Sequence, residues 1–227
     1  WSGVMQLSQL IQRFRVQAND KVEPYFNEDE DVIAWLNDAV KEACIRGRLL
    51  CESQNSDVCK IKVNAGRSNY DLHNSLYELT RIWFEPADGK TGSFISITSA
   101  ENLDRTYYRD WKSMSEFPRF LIQDDTTIRL VPCPNIDGEL QLEGYRVPLV
   151  DMQDDTDAPE INGLHHVHLI QWALFQAFSV PDAEFFDANR AAMAEQAFTD
   201  YFGQRPDSDL RRITREDMPH HVESFMP

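Results

Sequence analysis

No stretch of the sequence approaches the roughly 18 to 20 consecutive apolar residues that a bilayer-spanning helix needs. No basic leader runs into an apolar segment with a small-residue cleavage site. The expectation is a chain that neither spans a membrane nor carries a secretion signal. Cysteine is scarce, with Cys44, Cys51, Cys59 and Cys133 alone and no C-x-x-C pair among them. Cys44 and Cys51 stand seven apart on a predicted helix, about 10 Å along its axis, which is too far to bridge. The thiols therefore read as reduced and partly buried, in a cytosolic setting. The G-x-x-x-x-G-K phosphate loop, the G-x-S-x-G elbow and the G-x-G-x-x-G fingerprint are all missing. Positive charge is short as well: 22 Lys and Arg face 38 Asp and Glu, a net charge of -16. A surface of that sign repels nucleic-acid phosphates instead of gripping them.

What the sequence does hold is a core and an uneven distribution of acid. With 42% hydrophobic and 26% charged residues it can fold without staples. Nine acids face six bases up to residue 56, 14 face 11 from 57 to 150, and 15 face five beyond. No Lys follows Lys112, so most of the negative charge lies in the last third.

The first 57 residues read as two helices. Val4, Leu7, Ile11, Phe14 and Ala18 step by three and four, with Leu10 widening the stripe. Asn27 and Glu30 have capping-box spacing, and Glu28 to Asp31 place four acids where the helix dipole favours them. The second stripe is Ile33, Leu36, Val40, Ala43, Gly47 and Leu50. From 58 to 150 the period falls to two. Ile61 and Val63 with Tyr70 and Leu72, around Ala65 to Ser68, predict a hairpin, and Phe117–Gln123 with Thr126–Val131 predict another across Asp124-Asp125. In the strand 139–147 the pair Leu140 and Leu142 is out of phase with Tyr145 and Val147, which predicts a bulge at Gly144.

Residues 151–203 add an acidic connector and two more helices. The first is apolar nearly all round from Leu164 to Phe178, and the second should bury Phe186, Met193, Ala197 and Tyr201. Residues 204–227 form a polar tail. Neither helical pair can bury its stripe alone, so the expected fold class is α+β: a bundle of the N- and C-terminal helices, an inserted β-rich antiparallel domain and an extended C-terminal tail.

Candidate chemistry is thin. His165 and His168 share a helix face at i, i+3, but no further Cys or His at metal-site spacing stands near them. Asp151, Asp154, Asp155 and Asp157 resemble hard-cation ligands. From none of them do Gly at the sixth place and Glu at the twelfth complete a calcium loop. Trp83, Tyr107, Tyr108 and Trp111 read as β-domain core, and the bases around them alternate with acids. By composition the tail reads as disorder; with Arg211, Arg212 and Arg215 beside Val222, Phe225 and Met226 it reads equally as a set of anchors that clasp a neighbour.

The order of several segments resembles the head-to-tail adaptor (connector) proteins of tailed bacteriophages. They are the helix from Asp29 to Leu50, the step Val63-Asn64-Ala65-Gly66 to Tyr70-Asp71-Leu72, and Phe117-Pro118-Arg119-Phe120 to Ile128 through Pro134. Asp137 to Leu140, Pro148, Pro159-Glu160-Ile161, His165 or His166, and Trp172-Ala173-Leu174 follow in sequence. The resemblance implies a virion neck protein, assembled in the host cytoplasm, that is not an enzyme and has no catalytic residue, metal or cofactor. It implies a homo-oligomeric, dodecameric ring that joins the portal protein to the next tail or neck protein, with DNA passing through without specific binding. In that setting Asp151, Asp154, Asp155 and Asp157 are expected to line the channel. Arg211, Arg212, Arg215, Val222, Phe225 and Met226 are expected to touch the portal or a neighbouring subunit. Two other readings stay open: another neck or tail-tube component of similar fold, and a metal-dependent hydrolase on the His165/His168 face.

Overall fold

The structure is a computed structural model and describes residues 3–106, 110–181 and 184–206. Along the chain come α1 (Leu7–Ala18), α2 (Asp29–Gly47), β1 (Cys51–Glu52), α3 (Ser56–Cys59), β2 (Lys60–Val63) and β3 (Asn69–Asp71). Then follow β4 (Leu76–Pro86), β5 (Ser93–Phe94), β6 (Ser96–Ile97), α4 (Ala100–Thr106), β7 (Ser115–Glu116), β8 (Phe120–Gln123) and β9 (Thr127–Val131). The chain closes with β10 (Cys133–Pro134), β11 (Gly138–Arg146), a 3-10 turn at Gly163–His165, α5 (His166–Ser179) and α6 (Ala188–Phe202). The fold is α+β, with six helices and antiparallel sheets among the described residues, divided into two compact units.

One unit joins residues 3–50 to 146–206. In it α1, α2, α5 and α6 share one core, with α5 against the other three. Leu7, Leu10, Phe14 and Ala18 of α1 are buried as their spacing requires, whereas Val4 precedes the helix and is exposed. On α2 the buried face is Val32, Leu36, Ala39, Val40 and Ala43, and Ile33 is only partly covered. Its N-cap is Glu28, not Asn27. Asn27 turns the other way because the buried Asp20 carboxylate accepts its backbone N–H at 3.1 Å and its side-chain amide at 3.2 Å.

The inward face of α6 is Ala191, Ala194, Phe198 and Phe202, so the expected stripe of Met193, Ala197 and Tyr201 points outward, and Phe186 before the helix is exposed. Both sides of this helix are apolar, and the two phenylalanines fill more core volume than Met and Ala do.

The second unit includes residues 51–145. One sheet runs β1-β11-β4-β5 with β2 also on β11, a second runs β3-β9-β8-β6, and β7 pairs with β10. β6 with β8 and β7 with β10 are short parallel pairs. The hairpin of β8 and β9 forms as expected, with Phe120 opposite Val131. The other expected hairpin does not. β2 pairs with Gly138–Gln141 of β11 and β3 with β9, so the two strands belong to different sheets. The segment between them is instead pinned by the Tyr70 hydroxyl, which accepts the Asn64 N–H at 3.0 Å.

No bulge breaks β11 at Gly144: Leu140, Leu142, Gly144 and Arg146 are buried in uninterrupted alternation. Gly144 is there for space. A Cβ on it would lie 2.4 Å from the Glu78 carbonyl oxygen of the adjacent β4. The phase break lies on β4, where the buried positions Leu76, Leu79 and Ile82 step by three before the period of two resumes at Phe84 and Pro86.

Candidate functional site

The acidic connector is a strap fastened at several points to the helical unit. Its base is closed by Arg146, whose guanidinium pairs with both carboxylate oxygens of Glu160, one at 2.9 Å. Bidentate pairing of this kind is among the stronger ionic contacts a protein makes. Midway, Asn37 on the buried face of α2 makes a two-way clamp. Its Oδ1 accepts the Met152 N–H at 2.8 Å and its Nδ2 donates to the Met152 carbonyl at 2.9 Å.

The strap also completes α1. The first N–H groups of a helix have no partner within it. Here Leu7 N donates to the Asp157 carbonyl at 2.7 Å and Ser8 N to the Asp155 carbonyl at 3.2 Å. Main-chain oxygens of the connector thus take up N–H groups that the local pair, in which Gln9 Oε1 accepts the Gln6 N–H at 3.0 Å, leaves open.

The four aspartates divide by role. Asp151 meets Lys41 at 2.9 Å. The Asp157 carboxylate accepts the backbone N–H groups of Gln153 at 2.8 Å and Asp154 at 2.9 Å, which together hold its pKa below the ordinary carboxylate value. Asp154 and Asp155 are exposed, and no partner of their carboxylates is found among the described residues. Between the strap and α2 lies an open cleft of about 400 Å³, lined by Val40, Val150, Met152, Asp157, Ala158 and Glu160. Leu149 and Val150 on the strap leave apolar surface exposed.

The histidines are occupied in three different ways. His166 is fully buried: its Nδ1 accepts the Met5 N–H at 3.0 Å, so Nε2 carries the hydrogen and donates to the Ile161 carbonyl at 3.0 Å. His165 Nδ1 lies 3.1 Å from the Tyr201 hydroxyl, and the His168 ring stacks on the Tyr201 ring with centroids 3.5 Å apart. Burial first, and the neighbouring imidazole second, push both His165 and His168 below the usual histidine pKa. Among the described residues no three His, Cys, Asp or Glu side chains converge as metal ligands.

Of the aromatic group, Trp111 is buried and donates to Asp104 at 2.6 Å, while Trp83 is half-buried and donates to Glu85 at 2.7 Å. Tyr107 and Tyr108 lie outside the described residues, as do Arg211, Arg212, Arg215, Val222, Phe225 and Met226.

Sequence reasoning assigned no contact to Asn37, Arg46, Arg146 or Glu160, although Glu160 stands in one of the family-like segments. Arg46 is the base in the last turn of α2, and it ties that helix to the end of α6 through Thr199 Oγ1 at 2.9 Å and the Gly203 carbonyl at 3.2 Å. Asn37 carries the one legible signal, a polar amide beside the apolar positions Leu36 and Val40.

Together these residues set fixed charge and exposed apolar surface on a firmly tied frame. No helix among the described residues is long and apolar enough to cross a membrane. The family model for the SU10 adaptor protein matches residues 5–222, nearly the whole chain, and the protein belongs to that family of phage head-to-tail adaptors. No curated protein matches it.

Proposed function

We propose that this chain is the ring-forming adaptor of a virion neck, sitting below the portal and joining the capsid to the tail while DNA passes through its centre. The family match over residues 5–222 carries the reading. In this reading the chain is a structural component without catalysis or cofactor, it forms a dodecameric homo-oligomer, and its other partners are the portal protein and the next tail or neck protein. A channel that DNA must slide through works best when it does not hold phosphate, and like charge on the wall prevents sticking.

The net charge of -16 fits that requirement, and the strap offers a place for part of it. Asp151 and Asp157 hold the strap, so Asp154 and Asp155 are the carboxylates proposed to face the lumen. Arg211, Arg212, Arg215, Val222, Phe225 and Met226 are proposed to contact the portal or a neighbouring copy.

Electron cryo-microscopy of the intact particle tests this. The expected result is a ring of copies of this chain between portal and tail, with Asp154 and Asp155 on the lumen. A lumen lined mainly by Lys and Arg would overturn the charge reading. Density for this chain elsewhere in the particle would overturn the adaptor reading.

A further inference from the structure

The helix α6 is apolar on two sides, and its own unit covers one of them fully and the other only at Tyr201, which lies on His168. Ala191, Ala194, Phe198 and Phe202 face inward, while Met193, Ala197 and Tyr201 form a ridge four residues apart on the outside. Met193 is 73% exposed and Tyr201 42%. Single exposed apolar side chains are ordinary. A continuous second stripe on one helix is the pattern of a helix covered twice.

Tyr201 is also held ready. Its ring is stacked on His168, and its hydroxyl meets His165. An aromatic anchor whose side chain is fixed before contact loses little entropy on binding, and tyrosine is enriched among the residues that dominate interfaces.

A closed ring of more than two copies needs two different patches that fit one another, so this ridge cannot pair with itself. Charge selects the mate. Glu195 and Asp200 are exposed beside the ridge. The first turn of α2 carries Asp29, Glu30 and Asp31, with Asp38 exposed further along, so that face would meet α6 with like charge. α5 is enclosed by the other three helices. α1 contains no acidic residue, turns Arg13 outward, and leaves Val16 53% exposed. Small Ala197 leaves room for a helix to approach closely.

We infer that the Met193, Ala197 and Tyr201 ridge of α6 binds the outer face of α1, around Arg13 and Val16, on a second copy of this chain. The inference rests on the ring reading above and names the surface that reading needs.

The full-length chain tests it by native mass spectrometry and sedimentation over a concentration series, with melting temperature as the control for folding. The wild type is expected to form assemblies larger than a dimer. Met193→Glu, Ala197→Glu and Val16→Glu, all at exposed positions, are each expected to weaken assembly about tenfold or more at an unchanged melting temperature. Wild-type rings that survive Met193→Glu with Ala197→Glu overturn the interface and leave the ring reading standing. Loss of assembly in the α6 variants without any effect of Val16→Glu overturns the assignment to α1. A wild type that stops at a dimer, or stays monomeric throughout, overturns the interface. In that case the copy number in intact particles still judges the ring.

Discussion

Replacing Asp20 should cost the helical unit more than any other single polar substitution in it. Asp20 is 1% exposed and its carboxylate accepts four hydrogen bonds. The donors are Arg15 Nη1 at 3.0 Å, Phe26 N at 3.0 Å, Asn27 N at 3.1 Å and Asn27 Nδ2 at 3.2 Å. Asp20→Ala strands all of them in a site with little water. Breaking a buried ion pair from one side costs about 3 to 5 kcal/mol, because the remaining group stays desolvated. Arg15 would still hold the Asn27 carbonyl at 3.0 Å, Asp29, and the face of Tyr25, which keeps the loss from running higher.

The reverse change is milder. Arg15→Met refills the aliphatic stem and leaves Asp20 with three N–H donors, enough to stabilise a buried carboxylate. Differential scanning calorimetry and urea titration of the two variants and their double mutant measure both costs and their coupling. At about 3 to 5 kcal/mol, Asp20→Ala should lower the melting temperature of the unit by more than about 10 °C. A cost under about 1 kcal/mol, or an Arg15→Met variant less stable than Asp20→Ala, would refute the reasoning.

Four further outcomes follow from the same contacts. Because His165 and His168 titrate below 6.5 in the folded chain, the unfolded chain binds more protons as pH falls below that value. Stability should therefore be full above about 6.5 and decline beneath it in thermal melts, with His165→Gln and His168→Gln each flattening the profile. Asn37→Leu removes both buried partners of Met152 and should cost about 2 to 3 kcal/mol, with faster amide exchange at Met152; unchanged exchange there would discard the clamp. Gly144→Ala forces a Cβ against the Glu78 backbone, so the β unit should lose more than about 2 kcal/mol, whereas Gly3→Ala, with open space around it, should be neutral. In the strap, Asp157→Ala should speed exchange at Gln153 and Asp154, while Asp154→Asn with Asp155→Asn should leave exchange unaltered; equal effects would remove the division of roles among the acids.

The order of short segments was enough for the family, and among the readings of the fold those that succeeded were ones for which periodicity suffices. In α1, Leu7, Leu10, Phe14 and Ala18 are spaced so that only one face can be buried, and that face is buried. In α6 the same rule had two answers, since Met193, Ala197 and Tyr201 are spaced as well as Ala191, Ala194, Phe198 and Phe202. Spacing reports the period of a helix and not which apolar side wins. Alternation around Ala65 to Ser68 likewise reports that two strands each bury one face, and is silent on the partner strand. At Gly144 the missing side chain looked like a shift of phase, when its cause is the approach of β4, a neighbour distant in sequence.

The strap was least legible because its fastenings are long-range or belong to the main chain. Asp151 to Glu160 has the composition of a solvated loop, and carbonyls of Asp155 and Asp157 that complete α1 leave no mark on residue type. The consequence bears on charge more than on stability. Acid on a free loop is screened by moving away from any surface that repels it, whereas acid on a backbone fixed by Asn37 and by the Arg146–Glu160 pair must keep its place. The repulsive wall proposed for the channel requires fixed charge. Fastening the strap with Asp151 and Asp157 while leaving Asp154 and Asp155 exposed meets that requirement in ten residues.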